Sequence, residues 1–173
     1  MIENNIRAGI FVVSHRHAKA NNPYTEHLHD SSLPTSYITY VDANNLYGHA
    51  IRQPLPIGKF KFLESDEIRD LDITTTPTDS TLGYILDVDL DYPDTLLDSH
   101  NDYPCAPERL TLTRDMLSDY CCELVAGHLL VCEKLVPNLK DKRNYVLHYR
   151  NLQQYMRLGL KLIRIHRALA FEQ

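Results

Sequence analysis

The sequence predicts an α+β fold from three observations. Residues 83–90 alternate Tyr84, Leu86, Val88 and Leu90 with Ile85 and the acids Asp87 and Asp89, the period of two that marks a strand with unlike faces. Residues 150–158 set Leu152, Tyr155, Met156 and Leu158 at helical spacing and close on Gly159. A last segment, 160–171, alternates again through Leu160, Leu162, Ile163, Ile165 and Leu169.

The remaining elements follow in order. Residues 8–14 and 37–42 read as strands, separated by a loop over 20–36 rich in Pro, Asn and Ser. Residues 45–52 read as a short helix stopped by Pro54 and Pro56, since proline has no backbone N–H to continue the ladder. A polar stretch covers 64–81, helical where it reads E-S-D-E-I-R-D and linker-like at T-T-T-P-T-D-S. Thr113, followed by acids, is an N-cap for a helix reaching about Ala126, where Gly127 stops or kinks it. Residues 144–148 read as one more strand, and the chain shows no internal repeat.

Composition narrows the class. With 173 residues and 43% hydrophobic content the chain is long enough for a core, and no apolar run approaches the roughly 18 residues that cross a membrane. The start Met1-Ile2-Glu3-Asn4-Asn5 has neither an apolar signal region nor Arg/Ser-rich transit character, so an intracellular place is expected, with nucleus and cytoplasm both open. Cys105, Cys121, Cys122 and Cys132 form no C-x-x-C pair, which points to reduced thiols and away from structural zinc. His15 with His17, and His27 with His29, lack a second ligand pair at finger spacing. The net charge of −5 averages two unlike parts: from Lys134 onward nine basic residues face only Asp141 and Glu172, giving +7 against −12 for the rest. Such a basic third is either a phosphate-contacting surface or a solvated helix face, and charge alone does not choose.

The segment Tyr37-Ile38-Thr39-Tyr40-Val41-Asp42-Ala43-Asn44-Asn45-Leu46-Tyr47-Gly48 carries the most chemistry. An apolar strand running into Asp42 would present a carboxylate at a cleft, and Asn44 or Asn45 can cap a helix whose free N–H groups favour an anion such as a triphosphate. A carboxylate beside a phosphate site suits Mg²⁺, which takes one or two protein carboxylates along with substrate oxygens. On pattern alone, the commoner outcome is an Asp42 that caps a surface turn and a Tyr47 in the core.

The spacing D-x-x-x-L-Y-G resembles motif A of family B DNA polymerases, in the form D-A-N-N-L-Y-G similar to the protein-primed branch of Polinton-type mobile elements and related viruses. Further blocks resemble the same family in its order. Ile6-Arg7-Ala8-Gly9 is similar to the Y-x-G-G element that touches single-stranded DNA, with Ile6 for Tyr and Ala8 for Gly. Arg16-His17-Ala18-Lys19-Ala20-Asn21-Asn22 resembles an R-Y-A-K-A-N-N run, and Gln53-Pro54-Leu55-Pro56-Ile57-Gly58-Lys59-Phe60 the turn that leaves the polymerase palm. The blocks around Gly83–Leu90, His100–Pro104 and Lys134–Leu139 continue the series.

The resemblance implies a partial palm of antiparallel strands over residues 1–54, a mixed α/β insertion similar to terminal protein region 1 over 55–159, and a strand, 160–173, returning to the palm beside the motif A strand. It implies that Asp42 and the Ala43 carbonyl hold two Mg²⁺ ions in the intact parent, and that Asn44, Asn45, Leu46 and Tyr47 contact the nucleotide. Tyr47 would exclude a 2′-hydroxyl. Arg7, Gly9, Lys140, Lys142 and Arg143 are the expected DNA contacts. The expected partners are a DNA primer-template, dNTP, a priming terminal protein and the missing remainder of the polymerase, with no membrane. Neither the second carboxylate of motif C nor the lysine helix of motif B occurs in these residues, so the chain is expected to be a fragment, inactive alone, encoded by a virus or mobile element. A non-catalytic DNA- or protein-binding adaptor, or a relic without selected function, also fits.

Overall fold

The computed structural model describes residues 1–7, 10, 12–15, 17–125 and 133–173. The chain divides into two compact units, Met1–Val12 with Pro56–Gln173, and Val13–Leu55. The smaller unit holds a 3₁₀ turn at Pro23–Leu28, an isolated bridge between Asn21 and Ser36, and helix α1 (Leu46–Ile51). The larger holds β1 (Gly58–Phe62), α2 (Ser65–Arg69), β2 (Leu82–Asp91), α3 (Leu97–His100), β3 (Glu108–Thr111), α4 (Asp119–Leu124), β4 (Glu133–Val136), β5 (Lys142–His148), α5 (Tyr149–Arg157) and β6 (Lys161–Glu172). It is an α+β fold with an antiparallel sheet.

Four strands form the main sheet in the order β1-β6-β2-β5, and every neighbouring pair is antiparallel. The alternation read from the sequence assigns the faces. Leu86, Val88 and Leu90 of β2 are fully buried and share one face with Tyr145 and Leu147 of β5 and Ala168 of β6. Leu152 and Tyr149 of α5 close over this core with Ile73, Tyr92 and Leu160. Burial of such side chains contributes about 1.5–3 kcal/mol each. The turn into β6 explains why α5 stops: Gly159 has φ +105°, its N–H donates to Met156 O, and the Leu160 N–H donates to Tyr155 O. That double bond pattern is a Schellman cap, which favours glycine, and a Cβ at Gly159 would also meet Leu96 at 2.9 Å.

The opposite face carries charge. Asp87, only 2% exposed, accepts from Nε and Nη2 of Arg167 at 2.9 and 2.7 Å, both on Oδ2. Asp89 lies two positions on, with Oδ1 accepting from the Asn144 N–H at 2.9 Å and Oδ2 2.9 Å from His166 Nε2. Two irregularities in the β2–β6 register make this possible: Asp87 faces Arg167 while Val88 faces Ile165, and Asp89 faces Arg164 while Leu90 faces Leu162. Each leaves β6 one extra residue, His166 and Ile163, and such bulges re-aim side chains.

Several expectations change here. Residues 37–42 form no strand: Tyr40 and Val41 are 92% and 80% exposed, and none of the described residues pairs with them. A strand exists only with a neighbour, and β6, the expected one, pairs with β2 along its length and with β1 at its C-terminal end. The strand expected over 160–171 is β6, and it shares one sheet with β1, β2 and β5. Of the expected strand 8–14, Ala8, Gly9 and Phe11 lie outside the described residues and the others are not in a strand. The helix expected from Thr113 is split: a 3₁₀ turn at Arg114–Met116 is followed by α4, which is capped by Ser118, whose Oγ accepts from the Cys121 N–H. Ala126 and Gly127 lie outside the described residues.

His148 at the end of β5 caps α5, its Nδ1 accepting from the Arg150 N–H at 3.3 Å, and packs on Tyr149 and Phe171. Burial, with a smaller effect of the Arg150 charge, lowers its pKa from 6.5 to about 4. The unfolded chain then binds the proton first, so stability that is full above pH 6.5 falls as pH drops towards 4. We predict that His148→Asn, which keeps an acceptor at the cap, flattens this acid limb in urea unfolding followed between pH 7 and 4.5. An unchanged limb would place the titration elsewhere.

Candidate functional site

The residues expected to hold nucleotide and metal sit together at the start of α1. Asn45 adopts the left-handed conformation (φ 54°, ψ 53°), which asparagine tolerates better than most residues, and its Oδ1 accepts from the Gly48 N–H at 3.0 Å. The cap fixes the turn that follows Asp42. A proline at position 48 would have no N–H for Asn45, and any Cβ there would lie 2.4 Å from Asn45 Nδ2. The asparagine at 45 and the glycine at 48 thus depend on each other.

Asp42, Ala43, Asn44, Asn45, Leu46 and Tyr47 are all exposed, Tyr47 by 87%. Tyr47 is therefore not a core aromatic. The structure brings these residues into one short turn but sets no second carboxylate with Asp42, and among the described residues no group of three His, Cys, Asp or Glu could hold a metal ion. One carboxylate and one backbone carbonyl do not fit a pair of Mg²⁺ ions, whose two-metal geometry needs shared carboxylates. Of the cysteines, Cys105 is buried, Cys121 exposed and Cys122 intermediate, all as free thiols.

The expected DNA contacts divide sharply. Lys142 is fully buried: Nζ donates to Glu108 Oε2 at 2.9 Å and to the Asn138 side chain, and Asn138 Nδ2 donates to the same Glu108 oxygen. Burial lowers its pKa, while Glu108 opposes the shift. It cannot touch a phosphate, which corrects its assignment as a DNA contact. Lys140 is exposed, and Arg143, also exposed, pairs with Asp141 at 3.1 Å. Arg7 is built into the edge of β5, donating to Val146 O at 2.8 Å with its guanidinium 3.8 Å from the Tyr145 ring centroid. Gly9 lies outside the described residues.

The basic third is thus partly engaged in bonds within the fold. Besides Lys142, Arg167 is held by Asp87, and Arg150 donates to Thr78 O and the Tyr149 hydroxyl. The signal for the Asp87–Arg167 pair was present in the sequence as two acids inside an apolar alternation, a pattern that needs cationic neighbours across the sheet. Lys142 gave no such signal. Among the described residues no helix is long and apolar enough to cross a membrane. The chain matches no protein-family model, no curated protein and no solved structure.

Removing one partner of a buried ion pair strands the other, a loss of about 3–5 kcal/mol. We predict that Lys142→Ala lowers the unfolding free energy by about 3 kcal/mol in urea titrations, whereas Lys140→Ala changes it by less than about 0.5 kcal/mol. Equal effects would mean that Lys142 is solvated.

Proposed function

We propose that this chain is the part of a protein-primed family B DNA polymerase that carries motif A and the insertion following it. The observation that supports this most is the Asp42–Gly48 turn. A carboxylate is followed at motif A spacing by a capped helix start with an outward-facing tyrosine, and blocks similar to the family's appear before and after it in the family's order.

In this reading Asp42 contributes one carboxylate to the metal site of the intact polymerase, the remainder coming from residues this chain does not contain. The metals would neutralise charge on the transferring phosphoryl group, whereas this chain's own residues position and select. The Asn45 cap, three residues after Asp42, starts the helix that carries Tyr47. Tyr47, free of core packing, is available to lie against the sugar and reject a 2′-hydroxyl by steric clash, a form of selection that works by excluding the wrong substrate. Residues 55–159 would serve as the insertion, the element that meets the priming protein and DNA. The adaptor reading draws on the larger unit, which has its own sheet and core.

The test uses the chain as it stands and a longer frame that supplies motifs B and C. The 173-residue chain is expected to show no template-dependent incorporation with Mg²⁺ and dNTP above a buffer control. The longer protein is expected to extend a primer, and Asp42→Ala in it to lower turnover by on the order of a hundredfold or more, the equivalent of several kcal/mol of transition-state charge stabilisation. Tyr47→Val should raise ribonucleotide incorporation relative to deoxyribonucleotide. Near-normal turnover of Asp42→Ala would overturn the assignment of motif A.

A further inference from the structure

We propose that a pocket at the outer edge of β5 is a binding site for a phosphate oxyanion. The pocket has a volume of about 260 Å³, below the 300–1,000 Å³ typical of sites for drug-sized ligands, and is lined largely by polar groups. Three guanidinium groups reach it from separate parts of the larger unit: Arg7 from the N-terminal segment, Arg109 from β3 and Arg143 from β5.

Their donors are only partly used. A guanidinium has five N–H donors in a fixed fork that matches the oxygens of phosphate. Arg109 gives one hydrogen bond, from Nη2 to Ile6 O at 3.3 Å, and stands 3.7 Å from Glu133, too far for a second. Arg143 gives one, from Nη2 to Asp141 Oδ2. Arg7 spends its bonds on the Val146 and Asn5 carbonyls and the Asn5 side chain, none of which cancels its charge. The two carboxylates in the lining do not offset the three cations. Glu108 is already neutralised by buried Lys142, and among the described residues Glu133 pairs only with Arg109. A tetrahedral anion could accept from more than one fork at once, which a single carboxylate of the lining does not do. Charge-assisted bonds of this kind are roughly twice as strong as neutral ones.

The arrangement also sets the roles apart. Arg7, stacked on Tyr145 and bonded to β5, is part of the frame. Arg109 and Arg143 are about half exposed, in the range where surface ion pairs contribute at most about 1 kcal/mol, so the fold does not depend on them. The inference stands apart from the polymerase reading and survives if that reading fails. Its ligand is the phosphate group itself, whether free, a terminal monoester or a diester within a strand.

The test is an NMR titration of the full chain at low ionic strength, following arginine Nε–Hε signals, with inorganic phosphate as the first probe. Saturable shifts at Arg109 and Arg143 are expected. Arg109→Ala and Arg143→Ala should each weaken binding about fivefold or more, whereas Arg164→Ala, on exposed β6 outside the pocket, should leave it within about twofold. Arg143→Gln replaces the alanine variant should the latter lose its thermal transition. Thymidine tetranucleotides with and without a 5′-phosphate then separate the sources: tighter binding of the phosphorylated form identifies a terminal phosphate, equal binding an internal diester. No saturation by about 50 mM phosphate, or an Arg164→Ala effect equal to that of Arg143→Ala, would overturn the proposal in favour of diffuse surface charge.

Discussion

The pairing of β2 with β6 is the constraint on which the larger unit depends. β6 follows α5 directly, turns at Gly159 into a twelve-residue strand, and lies against ten consecutive positions of β2 from Leu82 to Asp91. A slip of one residue would exchange the two faces of β2, placing Asp87 and Asp89 in the core and Leu86 and Val88 in water. The Asp87–Arg167 pair guards against that slip. It is bought at the expense of desolvating a carboxylate, one of whose oxygens, Oδ1, has no hydrogen-bond partner among the described residues. A buried, half-satisfied carboxylate with a fixed cation is poor as a source of stability and good as a register mark.

The same pairing explains where the positive charge goes. A count along the chain shows a strongly basic C-terminal third. In the fold, Lys142 is buried, Arg150 binds backbone and the half-exposed Arg167 is held by Asp87, while Lys140, Arg143 and Arg164 are exposed. The exposed cations are spread over β4, β5, α5, β6 and the loop before β5, with Arg157 and the half-buried Arg150 the basic residues on α5, so no continuous basic helix face results. The concentration of positive charge that does form is local, at the edge of β5, and draws on Arg7 and Arg109 from the acidic part of the chain.

Elements with a long, consistent period were legible: β2, β5, α5 and β6 lie within two residues of their expected bounds, as does α1. β1, β3 and β4 were not, because four- or five-residue strands such as Glu108–Thr111 and Glu133–Val136 carry too few positions, and too many charges, to show alternation. Lys59, at φ 51°, further masks β1 by a backbone irregularity at its start. Tyr37–Val41 shows the converse error: strand-forming residues were present, but sheet formation depends on a neighbour that local pattern does not supply. At the site, an asparagine cap before α1 could be read from residue type and order, with Asn44 and Asn45 both open, whereas the lack of a strand before Asp42 could not. The burial of Lys142 could not either, since its charge partner Glu108 lies 34 residues back along the chain, and until the fold brings the two together the lysine looks like any other surface lysine.

The central claim is that β2 and β6 form a cooperative sheet in which the Asp42 segment takes no part. Native-state amide hydrogen exchange on the 173-residue chain tests it most directly. The account predicts that core amides of β2 and β6 exchange together, at the free energy of global unfolding, while those of residues 37–47 exchange with little protection. Protection of residues 37–42 equal to that of β6 would contradict it, and would place the Asp42 segment in the sheet after all.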